Sequence, residues 1–150
     1  MSNSTLIKTF IFAASRETVW SFLTEKDKLA QWFHPATSDF VEGEDYALIR
    51  ENDDGKQVKQ CWGTVLRMDK PSELVYSFTI EPLNGALTTV TWTLEETRGG
   101  TKLTLQHEGI DQAAGEAALG ILLALDKGWD KHADQLRDLM TPTFNSECNH

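Results

Sequence analysis

Residues 121–140 read ILLALDKGWDKHADQLRDLM, and this stretch decides the fold. On a helical wheel of about 100° per residue, a set of apolar side chains falls within about 40° of Trp129. The set is Leu122, Leu125, Ala133, Leu136 and Met140. The pattern predicts an amphipathic helix of roughly 20 residues, about 30 Å long. Gly128 interrupts this helix at a cost of about 1 kcal/mol relative to Ala, and we expect a close approach of the helix to a sheet to offset that cost.

Several segments before this helix alternate with a period of two, which indicates strands that bury one face. In residues 88–95 and 102–107, apolar positions alternate with polar ones, so that Trp92 and His107 fall on the buried side. The predicted strands are residues 6–13, 38–41, 45–51, 56–68, 74–80, 88–95 and 102–107. Together they predict an antiparallel sheet of about six or seven strands.

Two short helices are predicted between the first strand and the rest of the sheet. Ser15 is a suitable N-cap for the first helix, and Asp27 can cap the second. Pro35 ends the second helix, because the residue before a proline is pushed out of helical conformation.

This order predicts an α+β domain over residues 1–141, followed by a tail over residues 142–150. A twisted sheet with one apolar face must be covered, and the last helix is the only predicted element long enough to do so. A curved sheet around one long helix leaves a space between them, roofed by the two short helices. No repeat or linker divides the chain.

Several motifs, taken in their order along the chain, resemble the AHSA1-like family, bacterial proteins related to the C-terminal domain of the activator of Hsp90 ATPase. They are ASRETVW (14–20), LAQWF (29–33) with Pro35, GTV (63–65), PSELVY (71–76), VTWTL (90–94), GTKLTL (100–105), Gly128-Trp129 and Leu136. The resemblance covers residues 6 to 140. It implies the helix-grip fold of the START-like (SRPBCC, Bet v 1-like) superfamily, which contains lipid-transfer domains, plant hydrophobic-ligand binders and polyketide cyclases. One fold can host many activities, so the resemblance implies the fold far more strongly than a function.

Charge and composition exclude several classes of function. The 14 Lys and Arg against 23 Asp and Glu give a net charge of −9, which argues against nucleic-acid binding and against a polybasic membrane-surface role. No apolar run approaches the roughly 18 residues that span a membrane, and the N-terminus lacks the pattern of a secretion signal. Cys61 and Cys148 do not form a disulfide framework, so we expect a cytoplasmic protein with reduced thiols.

Metal-dependent or nucleophilic chemistry has no recognisable motif. His34, His107, His132 and His150 stand in no metal-ligand spacing, so we predict neither a metal site nor a cofactor. Cys61 has no G-x-S-x-G-like context, and the simpler interpretation is a strand cysteine packed as a small hydrophobe.

The sharper hypothesis is a cavity between the sheet and the long helix. The predicted ligand-binding residues are Trp32, Phe33, Tyr76, Phe78, Trp92, His107, Leu125, Trp129 and His132. Trp32 and Phe33 would form the mouth, and the tyrosine hydroxyl, indole N–H groups and imidazoles would orient a ligand. The alternative is that these large side chains fill the space completely and leave a dry core. For His107 in particular, the alternative is a hydrogen-bonded residue at the end of a strand.

Three functions follow, with binding favoured over catalysis. The first is binding of a small hydrophobic or aromatic molecule. The second is a cyclase or aromatase in which His107, His132 or Tyr76 acts as general acid or base. The third and least favoured is contact with an Hsp90-type chaperone, because a net charge of −9 needs no partner to explain it. Exposed sheet edges make a homodimer a further expectation.

Overall fold

The computed structural model describes residues 5–80, 83, 86–110 and 118–140. Strands β1 (Leu6–Phe12), β2 (Asp45–Glu51), β3 (Gln57–Asp69), β4 (Glu73–Phe78), β5 (Thr88–Thr97) and β6 (Gly100–Glu108) form the sheet. Helices α1 (Arg16–Thr24) and α2 (Lys26–Trp32) follow β1, and α3 (Ala118–Met140) follows the sheet. The predicted tail over residues 142–150 lies outside the described residues.

The sheet is a single antiparallel layer in the order β1-β6-β5-β4-β3-β2. Strands β2 to β6 form a meander, and β1 pairs with β6 from Leu6↔His107 to Phe12↔Thr101. The six strands and the long terminal helix confirm the predicted helix-grip α+β architecture. No helix within the described residues is long and apolar enough to cross a membrane.

The predicted strand over residues 38–41 is wrong. In this segment the backbone N–H of Phe40 donates to the carbonyl of Thr24 at 2.8 Å, so its backbone bonds to the end of α1 and not to a strand. Only Ala36, just before it, forms an isolated bridge, with Leu48. The segment is the connection between α2 and β2.

The alternation in β5 and β6 places one face of each strand in the core, as predicted. Val90, Trp92 and Leu94 are buried and lie opposite His107, Leu105 and Leu103, respectively. The threonines between the β5 residues are only half-buried. The same face of the sheet is covered by α3, through Trp129, Ala133 and Leu136.

The caps of the short helices are partly as predicted. Ser15 caps α1, and its hydroxyl accepts the N–H of Thr18 at 3.2 Å. The predicted capping role of Asp27 is wrong, because α2 begins at Lys26 and Asp27 lies within its first turn. The N–H of Lys26 instead donates to Oδ1 of Asp39 at 2.9 Å.

Helix α3 is 23 residues long and is tied to the sheet edge by charge as well as by its apolar stripe. Nζ of Lys8 on β1 lies 2.6 Å from Asp126 and 2.9 Å from Asp130. The expected close approach of the helix to the sheet at Gly128 is wrong, because a Cβ built on Gly128 meets no atom of the described residues within 4 Å. The side chains of Leu122 and Met140 lie outside what the structure describes.

Candidate functional site

A cavity of about 180 Å³ lies between α3 and one end of the sheet. Apolar cavities of about 150 Å³ accept benzene, whereas sites for drug-sized molecules are several-fold larger. Its lining residues come from the end of α2, from β3, from the end of β4 and from α3. They are Phe33, His34, Gln60, Cys61, Phe78, Ile80, Ala124, Leu125, Gly128, Trp129 and His132. The space therefore suits a molecule of one or two rings.

The lining residues of α3 recur at helical spacing. Ala124, Gly128 and His132 are four residues apart, and Leu125 and Trp129 repeat the same step. Residues four apart lie on one face of a helix, so this face meets the cavity as a continuous strip. Gly128 contributes no side chain to the strip, which leaves open space at its centre.

Aromatic rings form the walls. The Phe33 ring lies 5.4 Å from Trp129 and 4.7 Å from His132, measured between centroids. The centroid of the Phe78 ring lies 5.9 Å from that of the Trp129 ring. These separations are typical of packed aromatic pairs, so the walls are rigid and apolar.

A β-bulge brings two successive residues of β3 to the cavity. Leu48 pairs with Cys61 while Ile49 pairs with Lys59, so Gln60 is the extra residue of the bulge. Adjacent strand residues normally point to opposite faces, and a bulge removes that constraint. Burial raises the pKa of the Cys61 thiol, so this side chain is protonated and uncharged at neutral pH.

Two histidines face each other at the cavity. The rings of His34 and His132 lie 5.2 Å apart, nearly perpendicular. Burial, together with the charges of His132, Arg50 and Lys131, lowers the pKa of His34 to about 4. Burial also lowers the pKa of His132, against the raising effect of its hydrogen bonds to Trp32 and Gln135. Both imidazoles are therefore neutral at pH 7.

The hydrogen bonds of His132 fix its tautomer. Nδ1 lies 3.1 Å from the carbonyl oxygen of Trp32 and 3.3 Å from Oε1 of Gln135. A backbone carbonyl can only accept, so Nδ1 carries the proton and donates it. In the neutral ring, Nε2 is then an acceptor with a free lone pair.

His107 lies beneath the cavity and does not line it. The Trp129 indole N–H donates to Nδ1 of His107 at 3.1 Å, so Nε2 carries the proton. Nε2 then donates to the Thr88 hydroxyl at 2.7 Å, and that hydroxyl donates to the carbonyl of Phe78 at 2.8 Å. Both ring nitrogens are occupied, and burial lowers the pKa of His107 to about 4.

Trp32, Tyr76 and Trp92 form a packed aromatic layer next to the cavity. The Trp92 indole N–H donates to the Tyr76 hydroxyl at 2.9 Å, and burial raises the pKa of that hydroxyl. Trp32 packs edge-on against Trp92 at 6.4 Å and donates its indole N–H to the carbonyl of Phe22 at 2.7 Å. These polar atoms bond within the protein and do not face the open space.

The structure thus divides the predicted site residues into two groups. Phe33, Phe78, Leu125, Trp129 and His132 line the cavity, whereas Trp32, Tyr76, Trp92 and His107 do not. Sequence reasoning missed His34, Gln60, Cys61, Ile80, Ala124 and Gly128. Ala124 and Gly128 lie about 140° and about 100° from Trp129 on the helical wheel, outside the apolar stripe, so the periodicity that indicated Trp129 could not indicate them. Nothing in the sequence indicated the bulge that adds Gln60.

Two cationic side chains act electrostatically on the cavity residue His34. Arg50 and Lys131 are the side chains, besides His132, whose charge lowers the pKa of His34. Among the residues that the structure describes, no group of three or more His, Cys, Asp or Glu side chains could hold a metal ion. The arrangement can therefore bind an apolar ring and offer it neutral hydrogen-bonding groups.

The chain matches one known protein family over most of its length. The family described as "Activator of Hsp90 ATPase homolog 1-like protein" matches residues 13–141. The chain belongs to this family. The match includes α1, α2, every strand except β1, and the whole of α3, so the cavity lies within the family domain. No curated protein matches the chain significantly.

Solved structures share the fold at low sequence identity. CalU16 from Micromonospora echinospora is 25% identical with a TM-score of 0.72, over 95% of this chain and 79% of that one. CV1439 from Chromobacterium violaceum is 20% identical with a TM-score of 0.76, over 93% and 98% of the two chains. DynU16, from the dynemicin biosynthetic locus, is 18% identical with a TM-score of 0.73, over 91% of this chain and 47% of that one. These similarities confirm that this chain has the helix-grip fold.

Proposed function

We propose that this protein binds a small hydrophobic or aromatic molecule in the cavity between the sheet and α3. The observation that carries the proposal is the cavity of about 180 Å³ walled by Phe33, Phe78 and Trp129. Apolar surface removed from water contributes roughly 25 cal/mol per Å². A flat ring held between aromatic walls gains this contribution over both of its faces.

The lining supports a neutral ligand over a strongly charged one. His34, His132 and Cys61 are all uncharged at pH 7, as the directions of their pKa shifts show. Transfer of a charge into such a site without a partner costs several kcal/mol. The polar groups can orient an apolar molecule without requiring it to carry charge.

Titration with naphthalene, followed by the indole N–H signals in a ¹H–¹⁵N NMR spectrum, tests the proposal. Trp129 lines the cavity, so we expect its indole signal to shift in a saturable way. Trp20 is buried in α1 and does not line the cavity, so its signal serves as an internal control. Saturable shifts at Trp129 alone would support binding there. Unchanged spectra at the solubility limit of naphthalene would contradict the proposal.

A cyclase-type enzyme is the second candidate, because His132 combines a fixed tautomer with a free Nε2. That arrangement suits a general base, and His132 reaches the cavity. His107 and Tyr76 do not line it, so His132 is the catalytic candidate. We expect His132→Gln to lower turnover of a cyclisable polyketide-like substrate by at least 100-fold if the protein is such an enzyme. Equal turnover by the variant and the unmodified protein would exclude this role of His132.

A further inference from the structure

His132, which lines the cavity, has an acceptor nitrogen that receives no donor from the residues that the structure describes. Nδ1 of His132 donates to the carbonyl of Trp32, so Nε2 is left as the acceptor at the other edge of the ring. No side chain or backbone group of the described residues donates to Nε2. The neighbouring Phe33 ring, 4.7 Å away, has no donor to offer.

His34 does not fill this role. Its ring lies 5.2 Å from that of His132 at an angle of 70°, and the two rings form no hydrogen bond. Every fully buried side-chain nitrogen or oxygen among the described residues has a partner, so the unpartnered Nε2 of His132 is accessible to water or to a ligand. A ligand donor that replaces water at this atom forms a hydrogen bond in an apolar site. A molecule in the cavity that carries a hydroxyl can supply this partner.

We infer that the ligand is a hydroxylated aromatic molecule of one or two rings, a phenol, whose O–H donates to Nε2 of His132. This inference rests on the proposed binding function and names the class of ligand. The aromatic ring would lie against Phe33 and Trp129, and the hydroxyl would lie at His132. A cavity of about 180 Å³ has room for such a ring system.

Other head groups fit less well. A carboxylate has no proton to donate at pH 7, so it could bond to His132 only if the imidazole became charged. Burial opposes that charge, since it lowers the pKa of His132. An ammonium group beside the histidines would be repelled by Arg50 and Lys131, whose positive charges act on His34. A neutral hydroxyl avoids both penalties.

The experiment compares three molecules of similar shape: naphthalene, 2-methoxynaphthalene and 2-naphthol. The methoxy group can accept a hydrogen bond but cannot donate one, whereas the hydroxyl of 2-naphthol donates. Dissociation constants are measured at pH 7 by calorimetry. For the unmodified protein, we expect 2-naphthol to bind about 10-fold more tightly than 2-methoxynaphthalene, as one buried hydrogen bond allows.

Matched variants locate the acceptor. His132→Phe keeps an aromatic ring but has no nitrogen, so the preference for 2-naphthol should disappear while naphthalene still binds. His34→Phe removes the other imidazole that lines the cavity, and loss of the preference in this variant alone would overturn the assignment of the acceptor to His132. Equal affinities of the unmodified protein for 2-naphthol and 2-methoxynaphthalene would overturn the inference. A preference that survives His132→Phe would do so as well.

A second measurement needs no variant. The ¹⁵N chemical shift of His132 Nε2 reports whether this atom accepts a hydrogen bond, and we expect it to move with 2-naphthol and not with 2-methoxynaphthalene. An unmoved signal with bound 2-naphthol would overturn the inference even if a variant failed to fold. If none of the three molecules binds, the proposed function itself fails. If all three bind equally, only the phenol inference fails.

Discussion

His107 is fully buried, yet its two ring nitrogens are both satisfied by Trp129 and Thr88. The donors and acceptors run in one direction, from the Trp129 indole through the imidazole and the Thr88 hydroxyl to the carbonyl of Phe78. Because the chain of bonds needs Nδ1 as an acceptor, a doubly protonated ring would break it. His107 thus connects β5, β6 and α3 as a neutral residue.

A double-mutant cycle on His107 and Trp129 tests this link. His107→Leu leaves the buried Trp129 N–H without an acceptor, so we expect it to lower the free energy of unfolding by about 2–3 kcal/mol. Trp129→Phe removes the donor, and the double variant should be about 1 kcal/mol more stable than the sum of the two single effects predicts. Urea unfolding measures all four proteins. Strict additivity would show that the bond between the two side chains contributes nothing.

The lowered pKa of His107 predicts how the free energy of unfolding depends on pH. The folded-state pKa of His107 is about 4, below the ordinary value of 6.5. Between these values the unfolded chain binds a proton that the native chain does not, so stability falls as pH drops from about 6.5 to about 4. The loss that His107 causes should reach about 3 kcal/mol.

The variant His107→Leu isolates this effect, because every other titrating group is common to both proteins. We expect the difference in unfolding free energy between the two proteins to shrink as pH falls from 7 to 4. Parallel stability curves over this range would show that His107 titrates with an ordinary pKa.

At the scale of elements, the period of two in β5 and β6 was sufficient to predict which faces are buried. The strand predicted at residues 38–41 is absent, because the backbone of Phe40 bonds to Thr24 at the end of α1. The period of two did not indicate that strand. It also could not predict that Gln60 reaches the cavity, since a bulge depends on register with a partner strand. Patterns within one segment carry no information about bonds to distant segments.

The N-terminus of α2 gives a direct test of such a distant bond. Asp39 lies 13 residues from Lys26, and its carboxylate accepts the Lys26 N–H at 2.9 Å. We expect Asp39→Ala to lower the free energy of unfolding by about 1 kcal/mol, as loss of a capping bond does. Asp39→Asn keeps an acceptor oxygen and should retain most of the stability.

Asp27 is the matched control, because local sequence alone points to it as the cap. It lies inside the first turn of α2, so Asp27→Ala should cost no more than about 0.5 kcal/mol from the helix dipole. Thermal unfolding of the three variants compares the two positions. A larger loss for Asp27→Ala than for Asp39→Ala would reverse the assignment of the cap.

At the scale of the whole molecule, sequence predicted the layers and the place where the aromatic side chains gather. It could not decide whether they fill the space, because that depends on where α3 lies relative to the sheet. The structure has a region filled by aromatic side chains and, next to it, a region that stays open. Trp32 and Trp92 pack into a closed layer, while Phe33, Phe78 and Trp129 surround open space.

Gly128 affects both the size of this open space and the stability of the domain. A glycine inside a helix costs about 1 kcal/mol relative to Ala. At Gly128 a Cβ would meet no atom of the described part of the chain within 4 Å, so no contact seen there requires the glycine. Since Gly128 lines the cavity, we infer that its missing side chain keeps room for a ligand at the expense of stability.

Gly128→Ala should therefore change stability and binding in opposite directions. We expect the free energy of unfolding to rise by about 1 kcal/mol, and the affinity for naphthalene to fall by about 10-fold because the new methyl group occupies the cavity. Gly120→Ala is the matched control: it lies in the same helix, its Cβ also meets no described atom, and it does not line the cavity. The control should gain up to the same stability and keep its affinity. Urea unfolding and calorimetry measure the two quantities. Unchanged affinity in Gly128→Ala would mean that the space beside this residue is not where the ring binds, even if the protein binds naphthalene elsewhere.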